Sequence, residues 1–307
     1  MTETPENSKP APTEMRIDPT RAAQLLSNLT FITQRISQAS TSNSSSSSPV
    51  RLVAVSKLKP PSDILALHNP PTSNPPGASH LHFGENYAQE LAAKAAVLPH
   101  SIRWHFIGQL QSNKCRGLAA GVPNLWCVAS VDGVGKARGL ERGRAELEAK
   151  LKEEGASASG GEGKGGLGEG PEGMERLRVC VQVNTSGESS KSGCEPDAAA
   201  ALVRQIRDEC PHLHVQGLMT IGAIARSEAA GKGEENEDFK VLKQVRERVV
   251  KELGMEVGEL ELSMGMSGDF EDAVSQGSSE VRVGSGIFGD RERRADAVVK
   301  GEAQEQK

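Results

Sequence analysis

The sequence lacks several features that would place a protein in a specialised class. No apolar run approaches the roughly 20 residues that a transmembrane helix needs, so no membrane partner is predicted. The 307 residues carry a formal net charge of -5 and no dense block of lysine and arginine, which argues against nucleic acid as a partner. Residues 1–15 have no apolar core for secretion and are too acidic for a typical transit peptide. We expect these residues to form a disordered tail. We expect the protein to be cytoplasmic, and the sequence is also compatible with a mitochondrial fraction.

Cysteine is also scarce, and no two cysteines form a C-x-x-C pair. The chain has an odd number of them, at positions 115, 127, 180, 194 and 210. This pattern predicts reduced thiols in a cytosolic-type compartment. Two H-L-H triplets, at 80–82 and 212–214, are interpreted as the start of a strand and the end of a helix. We therefore predict no metal site.

Two segments have compositions that cannot bury enough apolar area to become ordered. They are the serine-rich stretch 40–49 and the glycine-rich stretch 153–173. We interpret both as inserts in surface loops, because such loops tolerate expansion. The sequence then predicts one domain over residues 16–300, followed by a short tail at 301–307.

Outside the inserts, short apolar runs alternate with helical stretches. Eight runs are typical of buried strands, at 52–56, 81–84, 104–108, 125–131, 178–183, 215–220, 260–264 and 280–283. Helix-like segments lie at about 18–39 and then at 86–98, 110–120, 133–152, 196–209, 236–253 and 269–276. Eight strands with crossovers predict an α/β fold, a single closed (β/α)8 barrel of the TIM type with an extra N-terminal helix. An open doubly wound sheet is the alternative, but no G-x-G-x-x-G motif follows the first strand.

Polar residues and glycines collect where the predicted strands end, which is the edge at which such barrels build their sites. The loops after the seventh and eighth strands contain Ser267-Gly268 and Gly284-Ser285-Gly286. Glycines allow backbone N–H groups to approach an anion, and a helix N-terminus adds positive potential. Gly-Ser-Gly is also an ordinary turn, but its position after the eighth strand favours a phosphate site.

The stretch LVAVSKLKP ends the first predicted strand in Lys57. Most such lysines are simply solvated, so the lysine alone predicts little. Lysine attacks a carbonyl only as the free amine, so its pKa would have to fall from about 10.4 through burial or a nearby cation. Lys57 together with a phosphate site favours an aldehyde-bearing phosphate held as a Schiff base. Pyridoxal 5'-phosphate (PLP) has both groups.

Six motifs, in this order, resemble those of the pyridoxal phosphate homeostasis proteins, also known as proline synthetase co-transcribed homologues. They are AVSKLKP, HFGENYAQEL, WHFIGQLQSNK, VNTSGESSKSG, GLMTIGA and LSMGMSGDFEDAVSQGSSEVRVGSGIFG. The resemblance is to eukaryotic members, runs from about 51 to 291 and leaves out both inserts. It implies a PLP barrel of fold-type III, like the N-terminal domain of alanine racemase, with PLP on Lys57.

The resemblance also implies roles for further residues. It places the phosphate near Ser267, Gly284 and Ser285, where Ser285 replaces the threonine that is more common in the family. It places Arg282 against the pyridine nitrogen, which should stay unprotonated because arginine is not expected to give up its proton. Asn86 would lie close to the cofactor, or alternatively would serve as the N-cap of the following helix.

Three functions remain open at this point. The resemblance implies a monomeric protein that buffers PLP or delivers it to apo PLP-dependent enzymes, without robust turnover of its own. A racemase would need an acid/base group on each face of the substrate carbanion. Tyr87 is the single tyrosine and the chain ends shortly after the last strand, so we expect no second domain to supply that group. An aldolase would usually carry its lysine on a later strand, so we expect PLP and at most weak side activity.

Overall fold

The computed structural model describes residues 15–41, 49–70, 79–157, 175–188, 191–222 and 236–289. Apart from Met15, the two predicted tails lie outside these ranges, and so does most of each predicted insert. Among the described residues, no helix is both long and apolar enough to cross a membrane.

Eight parallel strands form a closed barrel in chain order, and the last strand pairs with the first. They are β1 (Arg51–Val55), β2 (His82–Glu85), β3 (Arg103–Phe106), β4 (Leu125–Val131), β5 (Leu177–Gln182), β6 (Leu213–Met219), β7 (Glu261–Met266) and β8 (Glu280–Val283). Each overlaps one predicted strand, so the predicted barrel is confirmed. The strands are almost wholly buried because helices cover them outside and neighbouring strands cover them inside.

One helix precedes the first strand, one follows the last strand, and others lie between the strands. They are α1 (Pro19–Thr41), α2 (Pro61–His68), α3 (Ala88–Ala95), α4 (Ser112–Gly121), α5 (Val134–Ser157), α6 (Ala199–Glu209), α7 (Glu237–Leu253), α8 (Phe270–Ser275) and α9 (Ser285–Phe288). Short 3-10 turns precede α6 and β7, at Pro196–Ala198 and Val257–Glu259. Helix α5 extends into the predicted glycine-rich insert, so residues 153–157 are helical and not part of a loop. The two glutamates that begin the insert favour a helix.

The extra N-terminal helix is present and lies across the helices that follow β1, β7 and β8. Its Arg21 donates hydrogen bonds to Asp63 of α2 at 2.6 Å and to the carbonyl oxygen of Phe288 at 2.8 Å. Asn28 donates to the carbonyl oxygen of Ile287 at 2.9 Å. Helix α1 therefore fixes the short helix α9, which begins directly after β8.

The hydrophobic core fills the space between strands and helices. Its largest fully buried side chains include Trp104, Phe83, Phe106, Phe239 and Phe270. All five cysteines are buried and none is in a disulfide.

Candidate functional site

A cavity of about 340 Å³ lies at the end of the barrel where the strands finish. This volume falls in the range of small-molecule sites, roughly 300–1,000 Å³. Every residue that the sequence proposed as a site residue contributes to its wall, namely Lys57, Asn86, Ser267, Arg282, Gly284 and Ser285. These residues are far apart in the chain and meet only because the closed barrel places β1, β2, β7 and β8 around one opening.

The wall next to the first strand is built from the ends of β7 and β8. The backbone N–H of Gly284 donates to Ser267 Oγ at 3.1 Å, which joins the two loops. Helix α9 begins at Ser285, and the first N–H groups of a helix have no intrahelical partners. The wall therefore offers hydroxyl and backbone donors side by side.

The cavity has a cationic lining. Among the described residues that line it, Lys57, Lys59 and Arg282 carry positive charge and none is acidic. An anion placed here would be attracted by all three, and a phosphate dianion would be the natural counterpart.

Arg282 is held from below by the barrel interior. It is only 4% exposed, and it donates to Ser263 Oγ at 2.5 Å and to the carbonyl oxygen of Thr220 at 2.8 Å. Ser263 in turn donates to Glu280 Oε1 at 2.8 Å. Burial lowers the pKa of Arg282, and the charge of Glu280 opposes that shift. The guanidinium is therefore fixed in place by β7 and by the residue that follows β6.

The alternative interpretation of Asn86 as a helix N-cap is wrong. Helix α3 begins at Ala88, and its N-cap residue is Tyr87, which makes no side-chain capping bond. Asn86 Oδ1 is instead buried without a hydrogen-bond partner among the described residues. Such an atom costs about 1–3 kcal/mol of stability, which a ligand in the adjoining cavity could recover.

The loop that carries Lys57 has an unusual backbone. Leu58 has φ of 60°, the single non-glycine residue with positive φ in the described part of the chain. A left-handed leucine costs roughly 1–2 kcal/mol, so the surrounding structure must hold it there. The backbone N–H of Leu58 donates to Glu90 Oε1 at 2.7 Å, and that of Lys59 donates to Ser56 O at 3.0 Å.

Sequence reasoning missed a buried ionic group beneath this loop. Lys94 Nζ lies 2.7 Å from Glu85 Oε1 and 2.6 Å from Glu90 Oε1, and the side chains of Lys94 and Glu85 are 6% and 0% exposed. Burial raises the pKa of Glu85 to about 7, with Lys94 opposing the shift and Glu90 adding to it. The four-residue spacing of Glu90 and Lys94 on one helix was the available signal.

The class of barrel follows from two comparisons. The family model described as the alanine racemase N-terminal domain matches residues 168–292. The alanine racemase of Corynebacterium glutamicum is 14% identical with a TM-score of 0.56, over 90% of this chain and 62% of that chain. The fold is therefore that of an alanine racemase N-terminal domain.

Sequence relatives define the family within this class. The pyridoxal phosphate homeostasis protein of Caenorhabditis elegans is 42% identical over 245 residues, which cover 79% of this chain and 86% of the relative. The human protein of the same name is 40% identical over 247 residues, covering 79% and 77%. The chain belongs to the family of pyridoxal phosphate homeostasis proteins, as its motifs predicted.

Two solved structures are similar over their full length. A protein of Bifidobacterium adolescentis described as unknown is 30% identical with a TM-score of 0.65, covering 89% of this chain and 98% of that chain. PipY of Synechococcus elongatus, solved with PLP bound, is 27% identical with a TM-score of 0.54, covering 83% and 100%.

Proposed function

We propose that this protein binds PLP in the cavity as a Schiff base on Lys57 and buffers or delivers it without robust turnover. One observation carries the proposal: Lys57 shares a single cavity with the loops after β7 and β8 and with Arg282. The names of the curated relatives and the PLP bound to PipY support it.

The residues present fit this cofactor. Three cations around the cavity suit a phosphate, and Ser267, Gly284 and Ser285 would hold it with hydroxyl and backbone groups. Asn86 lines the cavity, and its Oδ1 has no hydrogen-bond partner among the described residues, so it could accept a bond from a ligand. PLP supplies an aldehyde and an electron-accepting ring. Arg282 would donate a hydrogen bond to that ring while keeping its own proton, which leaves the ring a weak electron sink.

The lining of the cavity favours a carrier over a racemase. Racemisation needs acid/base groups on both faces of the reacting carbon. Among the described lining residues, the side chains with ionisable groups are Lys57, Lys59 and Arg282. Both lysines come from one loop, and the arginine keeps its proton. Tyr87 is 42% exposed beside α3 and is not among these lining residues.

The first test is an absorbance spectrum of the purified protein with PLP. Wild type is expected to show a visible band that borohydride reduces onto Lys57, while Lys57→Ala shows none. Lys59→Ala is the matched control, because it removes a lysine of the same loop and should keep the band. A wild type without the band, or a Lys57→Ala variant that keeps it, contradicts the proposal. Adding amino acids and measuring product isomers then tests the racemase alternative.

The proposed phosphate contacts of the loops after β7 and β8 can be tested separately. Ser267→Ala should keep the visible band but weaken PLP binding about tenfold, since a hydrogen bond to a charged group contributes about 1.5 kcal/mol or more. Titration of the band against PLP concentration measures this. Ser275→Ala removes an exposed hydroxyl that bonds only within α8 and should bind PLP like wild type. Equal affinity of Ser267→Ala and wild type would place the phosphate elsewhere.

The same proposal takes the protein to be a cytoplasmic monomer that passes PLP to apo PLP-dependent enzymes. Sedimentation equilibrium of the loaded protein should give the monomer mass of 32.5 kDa. Mixing with an apo-enzyme should move the visible band to the enzyme and restore its activity, and a stable dimer or retained cofactor would count against this form of the proposal.

A further inference from the structure

The two peptide groups that flank Lys57 are both held by side chains of α3. Lys94 Nζ donates to the carbonyl oxygen of Ser56 at 2.9 Å, and the N–H of Leu58 donates to Glu90 Oε1 at 2.7 Å. The Ser56 carbonyl belongs to the peptide plane before Lys57, and the Leu58 N–H belongs to the plane after it. Because peptide groups are planar, holding both fixes φ and ψ at Lys57.

The side chains that hold these groups are themselves locked together. Lys94 has three N–H donors, and its Nζ contacts three acceptors: Ser56 O, Glu85 Oε1 at 2.7 Å and Glu90 Oε1 at 2.6 Å. Glu85 Oε1 also accepts from Ser56 Oγ at 2.6 Å. Charge-assisted hydrogen bonds of this kind are strong in a buried, low-dielectric setting. The group has little freedom to rearrange.

The loop needs this hold because its backbone is strained. Leu58 adopts a left-handed conformation with φ of 60°, which a leucine leaves readily unless its surroundings prevent it. Strained residues of this sort persist at functional positions where they pre-organise a reacting group. The strain lies immediately after the lysine that faces the cavity.

We propose that Glu85, Glu90 and Lys94 form a backbone clamp that positions Lys57 for reaction with the aldehyde of its ligand. This inference rests on the proposed function. Lys57 is the reacting residue: its Nζ attacks the aldehyde carbon, a C=N bond forms, and the oxygen leaves as water. Glu90 and Lys94 contact the backbone on either side of Lys57, and Glu85 holds Lys94 and the Ser56 hydroxyl. All three are positioning residues.

The test combines one readout without PLP and one with it. Hydrogen exchange at the Leu58 amide, followed by NMR in the PLP-free protein, reports the hold on the loop. The rate at which the visible band appears after mixing with PLP reports the positioning of Lys57. Glu90→Ala and Lys94→Met should exchange Leu58 faster and take up PLP about 10- to 100-fold more slowly, as expected for a misplaced reacting group.

Two conservative variants of Glu90 separate the effect of its side-chain length from that of its charge. Glu90→Gln keeps an oxygen that can accept from the Leu58 N–H and should remain near wild type in both readouts. Glu90→Asp keeps the charge but shortens the side chain and should slow uptake, so the pair decides the matter even where Glu90→Ala does not fold. Slow uptake by Glu90→Gln with normal uptake by Glu90→Asp would overturn the clamp.

Arg144→Met controls for general loss of stability. Arg144 is 2% exposed and donates to the carbonyl oxygens of Pro123 and Leu125 at the opposite end of the barrel. Arg144→Met should lower the free energy of unfolding without changing the rate of PLP uptake. If it slows PLP uptake as much as the Glu90 and Lys94 variants do, the inference is overturned. Fast Leu58 exchange with normal uptake in Lys94→Met would likewise overturn it. A wild type that takes up no PLP overturns the proposed function itself.

Discussion

Replacing Gly108 by alanine is expected to cost about 3 kcal/mol of folding free energy or more, the upper range for overpacking a closed site. A Cβ at this position would lie 2.0 Å from the carbonyl oxygen of Asn86 and 2.7 Å from its Cα. Both are backbone atoms, which cannot rotate away as a side chain can. The chain segments that follow β2 and β3 would have to separate, and Asn86 would leave the wall of the cavity.

Urea unfolding of Gly108→Ala beside wild type measures this loss. Gly117→Ala is the matched control, because an added Cβ there meets nothing within 4 Å and the residue is exposed within α4. Glycine inside a helix is about 0.5–1 kcal/mol worse than alanine, so Gly117→Ala should stabilise the protein. If Gly108→Ala is as stable as wild type, the close approach of the Gly108 and Asn86 backbones does not require glycine at position 108.

Glu85 should make the protein less stable as the pH rises from about 4.5 to about 7. The pKa of Glu85 is raised by burial from 4.5 to about 7 in the folded state. Between these values the folded protein binds a proton that the unfolded chain has released, so stability falls as pH rises. At about 1.4 kcal/mol per pH unit, this group accounts for at most about 3 kcal/mol.

Glu85→Gln removes this titration. The free energy of unfolding of wild type minus that of Glu85→Gln should therefore be larger at pH 5 than at pH 8, by up to about 3 kcal/mol. Glu146→Gln breaks the exposed pair with Arg116 and should show a difference that stays within about 1 kcal/mol at both pH values. A difference that grows with pH would show that Glu85 is held ionised instead.

Most of the fold follows from local pattern. Apolar runs of strand length between helical stretches predicted all eight strands. A parallel barrel strand is buried on both faces, so its sequence is an almost continuous apolar run that is easily recognised. Two short helices, α2 and α9, were not predicted. The end of α5 was also placed too early, because the helix continues to Ser157. These ends depend on packing, as when α1 holds the short helix α9.

What the sequence by itself determined is the barrel, the family and six residues that line one cavity, because motifs at strand ends must converge once the barrel closes. Only the tertiary structure decided how those residues are supported. Asn86 lines the cavity and does not cap α3, because α3 begins one residue later than such a cap would require. Glu90 and Lys94 contact the backbone around Lys57, and Glu85 accepts from the Ser56 hydroxyl, so these contacts join segments 29 to 38 residues apart. No local pattern encodes such contacts, because they depend on how α3 packs beside the loop after β1.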